Sequence, residues 1–242
     1  MALSRQTANL GADRKNGTQT MIRSLIAAFL LATAPALAQG AFPPQENREA
    51  WGLAIVDVET TGLEAGHHEM IDLGAIYTDL DGNELGRFFI RIHPDHPERA
   101  TEFVRSINGF DEERWTELGA FTEADAVESF LAFHAEASGG RTMLFTAYNA
   151  WFDRNFLDAL LQQHGESFRD HFTYFLLDLP SLAWGAGIPD MMNADVAGAL
   201  GLEAETSDPL EHTGLSGAEW NLALYRALQT RIAAQAGRGG QD

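Results

Sequence analysis

The sequence predicts an α/β domain built as a mixed sheet covered by helices. Three observations predict it. Three strand-like runs open the domain in succession, strand-like and helical runs alternate after them, and 45% of the 242 residues are apolar, enough to bury one sizeable core. The domain begins near Trp51. Residues 53–58 are apolar and rich in branched side chains, and residues 70–78 and 84–92 form two further strand-like runs. Asp81-Gly82-Asn83 between these two has hairpin turn chemistry. Thr122 followed by Asp125 resembles a helix cap, and Val127, Phe130, Leu131 and His134 then recur at helical spacing. Residues 142–147 read as a buried strand. Phe152, Phe156, Leu157, Leu160 and Leu161 make one face of a helix ending near Gly165. Residues 172–179 read as a fifth strand stopped by Pro180, and residues 218–234 as a last helix with Trp220, Leu224, Ala227, Leu228 and Ile232 inward. The order is β-β-β-α-β-α-β-α in one domain over residues 51–235, with a disordered tail at 236–242 and no internal repeat.

Ahead of the domain, residues 21–38 have the layout of a secretory signal. Arg23 is a short basic start, residues 25–32 are apolar, Pro35 breaks the run, and Ala36-Leu37-Ala38 offers a cleavage site. The apolar run is about half of the roughly 20 residues that cross a bilayer, so no membrane anchor is expected in the mature form. The leader is thus residues 1–38, with Met21 the better start, and the Pro43-Pro44 stretch at 39–50 is a linker. A periplasmic or secreted protein follows; a cytoplasmic leader that mimics a signal, or an N-terminal helix packed on the domain, is the alternative.

Composition narrows the function. Against 16 Lys and Arg stand 35 Asp and Glu, a formal charge of −19, and Lys15 is the sole lysine. Such a chain does not coat nucleic acid by charge, and any phosphate-bearing substrate needs a local device against repulsion. With no cysteine there is no disulfide, no thiolate zinc site and no cysteine nucleophile. Oxygen and imidazole ligands remain.

Asp57 and Glu59 end the first strand in Ala-Ile-Val-Asp-Val-Glu-Thr-Thr-Gly-Leu, and at i and i+2 they share a face. Two carboxylates at the end of an apolar strand need a cation or donors, and hard cations such as Mg²⁺ prefer oxygen. A strand end fraying into solvent explains the pair equally well. Thr60, Thr61 and Gly62 then supply a turn with hydroxyls and a close backbone approach. In Tyr148-Asn149-Ala150-Trp151-Phe152-Asp153 a strand gives way to a helix, with Asp153 near its first turn, where an acid is also favoured by the helix dipole. His212 lies in a polar, turn-rich segment before the last helix; it is either a solvated loop side chain or a general base suited to neutral pH.

Together these pieces resemble the DEDDh family of 3′-5′ exonucleases, relatives of proofreading subunits, oligoribonucleases and RNase T. The first motif is Asp57-Val58-Glu59-Thr60-Thr61-Gly62, the second spans 149–153, and the third begins at His212, all in family order. Ile71-Asp72-Leu73-Gly74-Ala75 and Ser106-Ile107-Asn108-Gly109-Phe110 extend the likeness over roughly residues 51–235. The resemblance implies an RNase H-like five-stranded sheet and two Mg²⁺ or Mn²⁺ ions. Asp57 would bridge them, Glu59 would hold the first and Asp153 the second, while His212 would take a proton from the attacking water. Thr60, Thr61, Gly62 and Asn149 would meet the substrate, a single-stranded DNA or RNA or a short oligonucleotide, and the product would be a nucleoside 5′-monophosphate.

One position departs from the pattern. Five residues after the histidine the family carries a fourth acid, and here stands Gly217. Either the site is impaired and the fold serves to bind nucleotides or nucleic acid, or another acid substitutes: Glu219, Glu211 or Asp208. Glu219 is the favoured candidate, although two residues on is about 200° around a helix. His67, His68, His93, Asp95 and His96 read as exposed loop residues, and Arg87, Arg91, Arg99 and Arg105 as scattered surface charge. The tryptophans at 51, 115, 151, 184 and 220 mostly suit a core.

Overall fold

The computed structural model describes residues 42–239. The expected signal at 21–38 lies outside the described residues. Five strands form one sheet in the order β3-β2-β1-β4-β5. These are β1 (Trp51–Thr60), β2 (Met70–Thr78), β3 (Glu84–Arg91), β4 (Thr142–Ala147) and β5 (Leu176–Asp178). β1 pairs antiparallel with β2 and β2 with β3, whereas β1 with β4 and β4 with β5 are parallel. The sheet is mixed, as expected, because the opening meander is hairpin-connected while β4 and β5 are each reached through helices.

β1 is the central strand, and its alternation decides what each face does. Ala54, Val56 and Val58 pack with α3 (Glu123–Ser138) and α4 (Ala150–Gln163) through Val127, Phe130, Phe156 and Leu160. Leu53 and Ile55 pack on the other side with α8 (Gly214–Gly239) through Ala218, Leu222, Tyr225 and Leu228. Asp57 and Glu59 share the parity of Leu53 and Ile55 and therefore face α8. Thr122 caps α3, its hydroxyl accepting from the Asp125 N–H, as the sequence indicates.

Several boundaries differ from expectation. The fifth strand is three residues, not eight: Phe168 and Phe172 stack in the core with centroids 4.8 Å apart, Tyr174 and Phe175 turn outward, and pairing begins only at Leu176. Pro180 does not simply stop a strand. It sits in the first turn of α6 (Leu179–Gly185), where a missing N–H is harmless, and Asp178 caps that helix. The last helix starts four residues early, at Gly214, and continues to Gly239. Four more short helices were not expected: α1 (Glu102–Asn108), α2 (Glu112–Glu117), α5 (Phe168–His171) and α7 (Asn193–Leu200). Residues 42–50, expected as linker, form two 3-10 turns, with Phe42 edge-on to Trp51 at 5.1 Å. Among the described residues no helix is long and apolar enough to cross a membrane.

The seat of α8 rests on two glycines. A Cβ on Gly74 of β2 would lie 2.1 Å from the Gly214 carbonyl carbon, and one on Gly214 would lie 2.5 Å from the Asp57 carbonyl oxygen. Backbone thus meets backbone, and the first turn of α8 is pressed onto the strand end that carries the acids. The Gly214 N–H donates to Asp72 Oδ1 at 2.8 Å, fixing the contact.

Candidate active site

Asp57, Glu59, Asp153 and His212 converge on one cavity of about 310 Å³, which Glu205 also lines. β1 delivers Asp57 and Glu59. α4 delivers Asp153, which is 3% exposed and whose Oδ1 accepts the Val58 N–H at 3.1 Å. The coil between α7 and α8 delivers Glu205 and His212. Its Thr206 carbonyl accepts from His212 Nδ1 at 2.8 Å, which leaves Nε2 facing Glu59 Oε1 at 3.0 Å. Asn108 holds the other Glu59 oxygen at 3.2 Å and the Thr60 carbonyl at 3.1 Å. It can do so because α1 closes on Gly109, whose φ of +63° turns the chain sharply there. Asn108 is thus a positioning residue, and the 106–110 segment acquires a physical role.

The electrostatics follow from this crowding. Burial pushes the Asp57 carboxyl well above the usual range, and the charges of Asp153, Glu205 and Glu59 push it further. Burial likewise raises Asp153, against the two backbone N–H bonds that favour its charge. Asp72, paired in register with Glu59, is raised to about 8, mainly by burial and then by Glu59. His212 is raised to about 9, chiefly by its hydrogen bond to Glu59. The imidazole is the one basic side chain among the lining residues, and no lysine or arginine joins it.

The remaining expected residues fall as follows. Thr60 and Thr61 are buried, and their hydroxyls serve the turn: Thr60 Oγ1 donates to the Gly62 carbonyl at 2.6 Å and Thr61 Oγ1 accepts the Glu69 N–H at 2.9 Å. At Gly62 the close approach is made by the His68 ring, which a Cβ there would strike at 2.0 Å. Asn149 is exposed on the cavity rim with φ +60°, the one non-glycine residue in the left-handed region among those described. Trp151 stands 61% exposed on the same rim and Trp184 is 60% exposed, so neither belongs to the core. A tryptophan two residues before a cavity aspartate on a helix's first turn is the signal that marks the first of these.

The proposed substitutes for the missing acid are elsewhere. Glu219 pairs with Arg87 on β3 at 2.7 Å, because a helix that starts at Gly214 turns it away from Asp57. Asp208 and Glu211 are exposed and do not line the cavity. Gly217 itself lies over Asp57, where a Cβ would be 2.3 Å from Oδ2. Glu205 was missed because it sits in irregular coil, where no periodicity assigns a face. The acid-rich run from Glu203 to Glu211 was the available signal.

Whether the residues fit divalent cations can be judged from the donor set. As they stand, no three His, Asp or Glu side chains among the described residues are grouped closely enough to hold one ion. Glu59 is engaged by His212 and Asn108, and Asp153 by a backbone N–H. The set itself suits hard cations: several oxygen donors, mutually repelling, with the Asp57 carboxylate raised by burial.

A mixed sheet in this order, with acids at the end of its central strand and its last helix crossing that end, defines an RNase H-like nuclease fold. A family model described as an RNase T type exonuclease matches residues 54–225. The chain belongs to that exonuclease family, and its fold is that of a DEDDh 3′-5′ exonuclease. The structure of E. coli exonuclease I with single-stranded DNA is similar at a TM-score of 0.61 and 15% identity, over 76% of this chain and 41% of that one. The chain thus spans about two fifths of that enzyme's length. The nuclease domain of 3′hExo, a DEDDh member bound to rAMP, is similar at 0.58 and 16%, over 74% of this chain and 92% of that one. A 3′-exonuclease that recognises a histone mRNA stem-loop gives 0.56 and 15%, over 74% and 82%. No curated protein matches in sequence.

Proposed function

We propose that this protein is a divalent-metal-dependent 3′-5′ exonuclease that acts on single-stranded or short nucleic acids and releases nucleoside 5′-monophosphates. The observation that carries it is the cavity wall, which gathers four carboxylates and one histidine with no lysine or arginine. A phosphodiester enters such a wall only where cations stand between the charges. Asp57, Glu59 and Asp153 would hold two Mg²⁺ or Mn²⁺ ions, which when bound offer positive charge to phosphate and lower the pKa of water.

The protein's own residues do the rest. The Thr206 carbonyl fixes the proton on His212 Nδ1, so Nε2 is the nitrogen that exchanges a proton. While Glu59 stays ionised beside it, His212 is an imidazolium and no base. A cation held by Glu59 would offset that pull and move Nε2 back toward the range in which it can accept a proton from water. Leu63, Ile107, Trp151 and Phe152 give the same cavity an apolar wall on which unstacked bases can lie. Without a basic track, the acidic molecule favours short strands over long polymers. On the strength of residues 21–38, this reading places the protein in the periplasm or outside the cell.

The test is an assay of the full chain on 3′ shortening of 5′-labelled DNA and RNA oligonucleotides, with Mg²⁺ or Mn²⁺, with EDTA, and with Asp57→Ala. Stepwise shortening that needs metal and disappears in the variant is expected. Oligonucleotide binding without shortening would replace this reading with that of a binding module on an exonuclease fold.

A further inference from the structure

We propose that Glu205 supplies the fourth carboxylate of the cation site, in place of the side chain that Gly217 lacks. The inference rests on the metal-dependent reading above and adds a residue that no motif contains.

Three observations carry it. First, Gly217 has no side chain, and the space a Cβ would take lies against the Asp57 carboxylate, 2.3 Å from Oδ2. The family's position therefore contributes no carboxylate here, and the Asp57 carboxylate occupies the space its side chain would take. Second, Glu205 lines the same cavity as Asp57, Glu59 and Asp153, with its side chain 16% exposed and Oε1 4.0 Å from His212 Nε2. That nitrogen has Glu59 at 3.0 Å, so two carboxylates lie within 4.0 Å of it. Third, the rival acids do not line the cavity: Glu219 pairs with Arg87, Asp208 and Glu211 are exposed, and Asp72 is buried outside the lining with Oδ1 on the Gly214 N–H.

The coil that carries Glu205 is tied to the site. Its next residue, Thr206, accepts from His212 Nδ1 at 2.8 Å, so one hydrogen bond ties the backbone beside Glu205 to the histidine. A glutamate with this exposure among three other carboxylates is unfavourable, since each charge repels the rest and the single His212 imidazole offsets them only in part. A glutamate also reaches further than an aspartate, which suits a ligand that enters from a loop rather than from the helix.

The experiment is Mn²⁺ titration by calorimetry on the full chain and on Asp57→Asn, Glu205→Gln and Glu219→Gln, with metal-free melting of each. Glu205→Gln is expected to weaken Mn²⁺ binding about tenfold or more, since affinity follows ligand charge. Its metal-free melting temperature should hold or rise, because one repelling charge has gone, and its gain in melting temperature on adding Mn²⁺ should shrink. Glu219→Gln should bind as the parent does. If the parent binds Mn²⁺, Asp57→Asn loses it and Glu205→Gln keeps affinity within about twofold, Glu205 is no ligand and the metal-dependent reading stands. If Glu205→Gln melts lower without metal, its role is structural and the inference fails. If the parent itself binds no Mn²⁺, both readings fall.

Discussion

His212 is held by two acceptors of different kinds, and this separates its possible roles. The Thr206 carbonyl fixes the ring, while Glu59 sets its charge. A general base contributes about 10²–10⁴-fold, so His212→Ala should lower kcat by that range. It should not weaken Mn²⁺ binding, because it frees Glu59 from a cationic partner; calorimetry beside single-turnover rates checks both halves. A loss of Mn²⁺ affinity in parallel with rate would make the histidine a ligand instead. At this scale the sequence is informative where chemistry coincides with regular structure. Asp57 and Glu59 could be paired because strand residues alternate, and Asp153 placed because it opens a helix. Glu205 had no such frame, since its position depends on how thirteen residues of coil between Leu200 and Gly214 fold back over the site. Asn108 was legible only as part of a likeness, and its hydrogen bonds to Glu59 and Thr60 give the reason.

Among the elements, the first turn of α8 decides the site's shape. Gly74 and Gly214 let it approach β2 closely, and the obstructing atoms on both sides are backbone, which cannot rotate away. Gly74→Ala should therefore cost about 3 kcal/mol, at the upper end of overpacking, and urea unfolding measures it. Exonuclease activity should fall in the same variant, because the segment that carries His212 leads directly into that turn. The long elements were readable from periodicity: β1 to β4, α3, α4 and most of α8. The short ones were not, since helices of four to eight residues show barely two turns of pattern. Stacking of Phe168 on Phe172 overrode the strand-like composition of residues 172–175 in the same way, by using the aromatic rings as core instead of as a strand face.

For the whole molecule, stability against acid depends on a group far from the site. His134 on α3 is 7% exposed, packs against Phe172 and His171, and meets the Tyr77 hydroxyl at 2.7 Å. Burial lowers its pKa to about 4, with the neighbouring His171 adding to the effect. The unfolded chain binds the proton near pH 6.5 and the folded chain only near 4, so this contribution is full above 6.5 and is lost as pH falls between them. The loss amounts to about 3 kcal/mol, from roughly 2.5 units at 1.36 each. The raised carboxylates Asp57, Asp72 and Asp153 work in the opposite sense, gaining stability as they protonate. Urea unfolding from pH 7.5 to 4.5 should thus show parent and His134→Gln converging as pH falls. The Val58 N–H to Asp153 bond has a consequence of another kind, for how variants are read. It joins residues 95 apart in sequence, so Asp153→Ala deletes a charge and also unfastens α4 from the central strand. A dead enzyme from that change would be ambiguous between chemistry and architecture. Asp153→Asn keeps an oxygen for the amide, and only that comparison isolates the charge.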